Sequence, residues 1–409
     1  MKAGWEICNL EDYIKLIDYR GRTPVKTESG IRLITAKNVK LGYLQLEPQE
    51  FISADNYESW MSRGIPNVGD VIFTTEAPLA NVAQIDTDEK LAFAQRIIVM
   101  QPNQNKINQT FLKYLLLSDS VRKKILESGT GATVQGIKSS LLKKIKIPIP
   151  PLPEQKQIVS ILNETFTALA KAKENAKKNL ANSKELFESY LQSVFENKGE
   201  DWEEKPLGDV TLIKPPKSEA RNKLKSSDIV SFVPMENLGI NQIEFIPEKE
   251  RRLKEVEGSY TYFADEDVLL AKITPCFENG KLGIARNLKN GIGFGSSEYI
   301  VFRTNKNLEP EFLYYYLSRK QFREEGSKLM TGAVGHKRVP KEFVENYHIP
   351  IPPLQEQKKI ITKLKNLSSE AKKLEAIYQQ KISDLEELKK SILQKAFNGE
   401  LNTTKGIAV

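Results

Sequence analysis

The sequence predicts an α+β protein of doubled design: two similar globules of mixed helix and strand, separated by two long helices that pair antiparallel as a coiled coil with pseudo-two-fold symmetry. Three observations predict it. Ile147-Pro148-Ile149-Pro150-Pro151-Leu152 returns unchanged as Ile349-Pro350-Ile351-Pro352-Pro353-Leu354, 202 residues on, and Glu154-Gln155-Lys156 returns as Glu356-Gln357-Lys358. A period of that length is too long for a solenoid unit and marks whole domains. Each copy opens a polar, proline-free stretch with apolar residues at helical spacing, ending on Phe195 and on Phe397. Shorter anchors repeat before it: Trp5-Glu6 matches Trp202-Glu203, Asn38 matches Asn237, and Thr130-Gly131-Ala132 matches Thr331-Gly332-Ala333. The offset drifts from 197 to 202, as loop insertions in diverged copies produce.

Within each globule, short apolar runs such as Val71-Ile72-Phe73 and Ile97-Ile98-Val99-Met100 are bounded by turn residues and predict strands. Phe111 to Leu126 predicts one helix. The boundaries expected are 1–150 for the first globule, 151–198 for the first long helix, 199–352 for the second globule, 353–402 for the second helix and 403–409 for a tail. Pro151 and Pro353 mark where each helix can begin, because proline is tolerated in a first turn and not in an interior. Glu154 and Glu356 follow in the first turn, where the helix dipole favours an acid.

A 3/4 spacing assigns the pairing seam to Ile360, Leu364, Leu367, Leu374, Leu385 and Leu388 in the second helix, with one interruption near Lys381. In the first helix it falls on Ile158, Leu162, Leu169 and Leu186. Each helix is about 60 Å long at roughly 1.5 Å per residue, more than one globule can cover. If the termini of the second globule lie close together, the end of one helix meets the start of the other, giving a dumbbell within one chain.

Composition narrows the function. No run of about 18 apolar residues is present, so no membrane span is expected. Two cysteines, Cys8 and Cys276, make no disulfide framework, which fits a cytoplasmic protein. The net charge of +8 is uneven: residues 1–150 carry +4, 151–199 carry +1, 200–351 carry −1 and 352–409 carry +4. A nucleic-acid site on the second globule must therefore be a local patch.

No catalytic constellation emerges. The two histidines, His336 and His348, have no Cys or Ser at useful spacing. Gly136-Ile137-Lys138-Ser139 has a residue between glycine and lysine, which the P-loop geometry does not allow. Gly291, Gly293 and Gly295 have no glycine counterparts in the first repeat and predict a turn before a strand. No Asn-Pro-Pro-aromatic tetrad of an amine methyltransferase is present. No cofactor and no metal are expected.

Basic clusters do recur. Arg20, Arg22 and Lys26 have a counterpart in Lys217, Arg221 and Lys223, within a run from Lys214 to Lys225 that holds five bases and one acid. Near the end of each globule lies a glycine-rich turn flanked by polar side chains: Thr130, Gln135 and Lys138 in the first, and Thr331, His336, Lys337 and Arg338 in the second. Such a turn lets backbone amides approach a phosphate while neighbouring side chains reach base edges. Lys37, Asn38 and Arg96 in the first globule and Asn237 in the second complete the candidate DNA contacts. Lys37 faces Glu236, and Arg96 faces Ser297 or Glu298, across the repeat, so the two globules suit different targets.

On the twin Pro-Ile-Pro-Pro-Leu-x-Glu-Gln segments, the Thr-Gly-Ala turns before them, the helices behind them and the ending Leu393-Gln394-Lys395-Ala396-Phe397-Asn398-Gly399-Glu400-Leu401, the chain resembles the specificity subunit of type I restriction–modification systems over its whole length. The resemblance implies that each globule is a target recognition domain for one half of a bipartite double-stranded DNA sequence. It implies that the helices set the gap and dock two methyltransferase subunits, which carry the S-adenosylmethionine chemistry, and through them the restriction and translocating subunits. The specificity subunit is not itself catalytic in that family. One departure stands out: Gln355 occupies the place of Pro153. The competing expectation, from the helices alone, is a coiled-coil scaffold that joins proteins without reading DNA.

Overall fold

The computed structural model describes residues 2–19, 23–131, 135–333 and 335–401. The chain divides into two compact units, Met1–Lys177 with Gln380–Val409, and Lys178–Gln379, so the division passes through both long helices, Leu152–Glu196 and Leu354–Phe397.

In the first unit a four-stranded antiparallel sheet has the order Ile14–Asp18, Ile97–Pro102, Val71–Thr74, Val82–Gln84. A second sheet sets Ile31–Ile34 antiparallel to Phe51–Ile52 and parallel to Leu91–Phe93. The apolar runs are continuous because these central strands are covered on both faces. Val71, Phe73, Ile98 and Met100 face the core shared with the helices, while Ile72, Ile97 and Val99 face the core of the second sheet.

The second unit repeats this plan. Thr211–Ile213, Tyr299–Thr304, Val268–Ala271 and Leu282–Ile284 form the matching antiparallel sheet. Val268, Leu270, Ile300 and Phe302 face the helices; Leu269, Ala271, Tyr299 and Val301 face the opposite way. In both units the strand leading into the globule pairs with the Pro-Ile strand leading out. Glu6 lies opposite Ile149 in one and Glu203 opposite Ile351 in the other.

The expected helix from Phe111 to Leu126 is two helices, Gln109–Leu117 and Asp119–Glu127. Ser118 breaks it: its backbone is extended and its hydroxyl donates to the Leu115 carbonyl at 2.6 Å, an alternative to continuing the helix.

Antiparallel pairing of the long helices is visible inside each unit. In the first unit Lys173 pairs with Glu386, and Lys389 Nζ lies 5.1 Å from the Phe166 ring centroid. In the second, Lys184 pairs with Glu375 at 3.9 Å and Lys363 Nζ lies 5.0 Å from the Tyr190 ring. Partners descend along one helix as they ascend along the other. Ile158 and Leu162 are buried in the first core with Ala396 and Phe397; Leu364 is buried in the second with Leu191, Phe195 and Ile361.

The seam differs from the expected one at three residues. Leu186, Leu374 and Leu388 are 58%, 39% and 47% exposed and lie off it. Ile360, Leu367, Leu169 and Leu385 are half-buried. The covered positions of the second helix run Leu364, Ala371, Glu375 and Tyr378 in one unit and Ile382, Leu385, Ile392 and Ala396 in the other. These keep a heptad spacing through the place near Lys381 where an interruption was expected. In the first helix Ala176, Ser183 and Phe187 take the covered side that Leu186 does not. Changing Leu186, Leu374 or Leu388 to Gln should therefore move stability by no more than about 0.5 kcal/mol in chemical denaturation. A loss of several kcal/mol would return these leucines to a buried seam.

Candidate nucleic-acid interface

The glycine-rich turns are built alike in the two globules. In the first, Thr130 and Gly136 exchange backbone hydrogen bonds of 2.8 and 2.9 Å, and the Ile137 amide donates to the Thr75 carbonyl at 3.0 Å. In the second, Thr331 and Arg338 exchange bonds of 3.1 and 2.8 Å, and the Val339 amide donates to the Lys272 carbonyl at 2.9 Å. Each turn is thus hung from the strand at the centre of its four-stranded sheet. Gly332 has φ +127°, and a Cβ there would sit 2.9 Å from the His336 carbonyl oxygen, so the turn requires glycine. Thr130, Gln135 and Lys138 are exposed on one turn; Thr331, His336, Lys337 and Arg338 are exposed on the other. Residues 132–134 and 334 of these turns lie outside the described residues.

Beside each turn stands a guanidinium–carboxylate pair, but the sign is exchanged between elements. In the first globule Arg96 Nε meets Glu76 Oε1 at 3.0 Å, and Glu76 bridges to Gly136 of the turn. In the second the acid is Glu298 and the arginine is Arg338 of the turn itself, joined by bonds of 2.9 and 2.8 Å. Arg338 holds the Glu298 carboxyl below the usual carboxylate range. Since a depressed carboxyl stabilises the fold above its unfolded value and ceases to do so as pH falls through the folded value, this pair is intact at neutral pH.

The other candidates divide. Arg20 and Arg22 lie outside the described residues. Lys26 is paired with Glu50 at 2.8 Å, and Lys37 is exposed. Asn38 is corrected: it is 1% exposed and cannot meet DNA. Its Oδ1 accepts from the Thr35 amide and hydroxyl, and its Nδ2 donates to the Gln45 and Pro48 carbonyls, so it pins the loop between them. Asn237 is half-buried, with Nδ2 donating to Glu248. The amide of Gln135 donates to the Leu126 carbonyl at 2.6 Å and so braces its own turn. Arg221 is paired with Glu257 at 2.7 Å, Lys223 is exposed, and Lys217 donates to the carbonyls of Glu257 and Gly258.

Sequence reasoning missed Lys272 and Lys341, which stand with Lys214 and Lys217 around one cleft of the second globule. They are isolated letters in the chain, and only the fold gathers them. Among the described residues no group of His, Cys, Asp and Glu could hold a metal ion, and no helix is long and apolar enough to cross a membrane.

Two copies of one mixed α/β globule, each ending in a turn hung from its central strand and passing into a long helix, define a protein built by internal duplication. The family model described as the type I restriction modification DNA specificity domain matches residues 3–180 and 199–383, and the chain belongs to that family. It is similar to the type I restriction enzyme EcoAI specificity subunit of Escherichia coli, 40% identical over 163 residues, which are 38% of this chain and 26% of that protein. The match to the EcoEI specificity subunit of Escherichia coli also spans about a quarter of the relative, 27% of its length. The MjaVIII specificity subunit of Methanocaldococcus jannaschii aligns over 97% of this chain and 93% of its own, at 25% identity. The fold is shared with a chain from a structure of type I R-M system assembly (TM-score 0.72, 21% identity, 98% and 99% coverage). It is also shared with the HsdS subunit from Thermoanaerobacter tengcongensis (TM-score 0.62, 22% identity, 98% coverage of both chains).

Proposed function

We propose that this chain is the DNA-sequence specificity subunit of a type I restriction–modification complex, working in the cytoplasm, with each globule reading one half of a bipartite site. The observation that carries the proposal is the doubled turn: one backbone construction, hung from the same strand twice, with Arg96 beside one copy where Glu298 stands beside the other. A shared frame with exchanged side chains is what two readers of different half-sites need. Phosphate contacts by lysine would set position and salt sensitivity, and base contacts would set sequence.

The long helices set the gap between half-sites and dock two methyltransferase subunits, and the restriction subunits act through these. Leu186, Leu374 and Ile377 support the docking role, being large apolar side chains exposed on the helices within one unit. The methyl transfer and cleavage belong to those partners, and this chain supplies recognition.

The test is a mobility-shift titration over a salt series, with and without a methyltransferase subunit. Lys138→Ala and Lys337→Ala should each weaken binding and reduce the slope of log affinity against log salt by about 1. An unchanged slope removes that lysine from the interface. No DNA affinity in either condition would favour a scaffold that joins proteins only.

A further inference from the structure

The second globule contains a cleft of about 370 Å³, within the size range of small-ligand pockets, lined by Lys214, Lys217, Lys272 and Lys341 with Tyr260 and Tyr299 and by no carboxylate. Three acids close to it are already engaged by arginines. Glu219 accepts from Arg303 and from the Tyr262 hydroxyl, Glu257 from Arg221, and Glu298 from Arg338. The arginines neutralise these acids and Lys341 is paired with Glu345 at 2.5 Å, so among the described residues Lys214, Lys217 and Lys272 are the cleft lysines left without a carboxylate partner.

The lysines are held in place. Lys217 Nζ is anchored on the Glu257 and Gly258 carbonyls at 3.0 and 2.7 Å, and Lys272 Nζ on the Ser297 carbonyl at 3.0 Å. An ammonium has three donors, so each keeps at least one for a ligand. Lys214 has φ +60°, a backbone region that residues other than glycine seldom take, and its amide is fixed on the Val301 carbonyl at 2.9 Å. The pressure of like charge is visible at Lys217, whose pKa is lowered by burial and then by Arg221 and Lys214.

The first globule lacks this arrangement. The turn that hangs from Lys272 in the second globule hangs from Thr75 in the first. Lys341 opens the short helix after the turn, where the first globule has Ser139. Lys214 lies beside Val301 one residue after its strand, where the first globule continues the strand with buried Ile17 opposite Val99. Three of the four lysines are therefore private to one copy of a common frame.

We propose that this cleft seats a backbone phosphate of the DNA at the half-site read by the second globule, with Tyr260 at the rim against the adjoining sugar. The inference rests on the DNA-recognition function proposed above and adds the ligand group and its seat. Lysines on flexible stems suit a phosphate as point charges, whereas base readout favours planar, forked donors. The cleft thus positions the duplex rather than reading it.

The test uses the full chain with its methyltransferase subunits and a duplex carrying both half-sites. Single phosphates are replaced in turn by uncharged methylphosphonates. For wild type, one position in the second half-site should cost several-fold in affinity. Lys214→Met with Lys272→Met, which keeps the aliphatic stems, should lower the salt slope by about 2 and abolish the response at that position. The scan across the first half-site and the melting temperature should not change. Competition by inorganic phosphate at matched ionic strength should weaken wild type more than the double variant. A variant with the wild-type slope and the wild-type response at every phosphate overturns the proposal, as does equal competition of both by free phosphate. Wild type that binds no duplex instead contradicts the DNA-recognition function itself.

Discussion

Removing residues 174–180 from the first long helix and residues 378–384 from the second is expected to change the number of base pairs between the two half-sites and to leave both half-site sequences intact. The two segments lie between the Lys173–Glu386 pair of the first unit and the Lys184–Glu375 pair of the second. Seven residues are one heptad, so the covered face stays in phase on either side of the junction. The loss is about 10 Å of helix at roughly 1.5 Å per residue, or about three base pairs at roughly 3.4 Å each. Sequencing of modified sites in a strain carrying the shortened protein reads both quantities together. An altered half-site with an unaltered gap would take the spacing function away from the helices.

Changing Gln357 to leucine is expected to cost the second globule about 3 kcal/mol or more, and Gln155→Leu should do the same in the first. Both side chains are buried. Gln357 Nε2 donates to the Asn307 and Pro352 carbonyls at 2.8 and 2.9 Å, and its Oε1 accepts the Glu309 amide at 2.9 Å. Gln155 repeats this on the Lys106 and Pro150 carbonyls and the Asn108 amide, at 3.1, 2.9 and 2.8 Å. Leucine fills the space and leaves three buried polar groups unpaired, each costing about 1–3 kcal/mol. Asn108 and Glu309 stand at the N-cap positions of the helices Gln109–Leu117 and Pro310–Ser318. The glutamine thus ties the start of the long helix to the start of a helix inside the globule, and fixes the direction in which that helix leaves the globule. Trp5 and Trp202 add a second tie, donating to Glu154 and Glu356 at 3.2 and 3.1 Å. Denaturant unfolding of each variant checks the figure; a change below about 1 kcal/mol would mean that water replaces the lost partners.

The repeated Glu-Gln announced the duplication in the sequence, but a glutamine letter does not say that its amide is buried. Asn38 was misjudged for the same reason: four hydrogen bonds within its own loop look, in one dimension, like a polar residue available to a ligand. The strands were legible because covered sheets need unbroken apolar runs. The existence of the long helices was legible and part of their seam was not. Glu375 is half-buried on the paired side of the second helix, with its carboxylate engaged by Lys184. A charged letter conceals a covered position, so the periodicity slid to the adjacent Leu374. Half of the basic cleft was legible as the run from Lys214 to Lys225. Lys272 and Lys341 join it only once the sheet brings three distant segments together.

The central claim is that one chain reads two separate DNA elements, one with each globule. The most direct measurement is selection from a pool of random duplexes by the full chain assembled with its methyltransferase subunits, followed by sequencing of what is retained. Two short defined blocks divided by a fixed number of undefined base pairs are expected. Replacing residues 1–150 by the corresponding segment of a relative should change one block and not the other. A single continuous block, or retention without any sequence preference, would contradict the account.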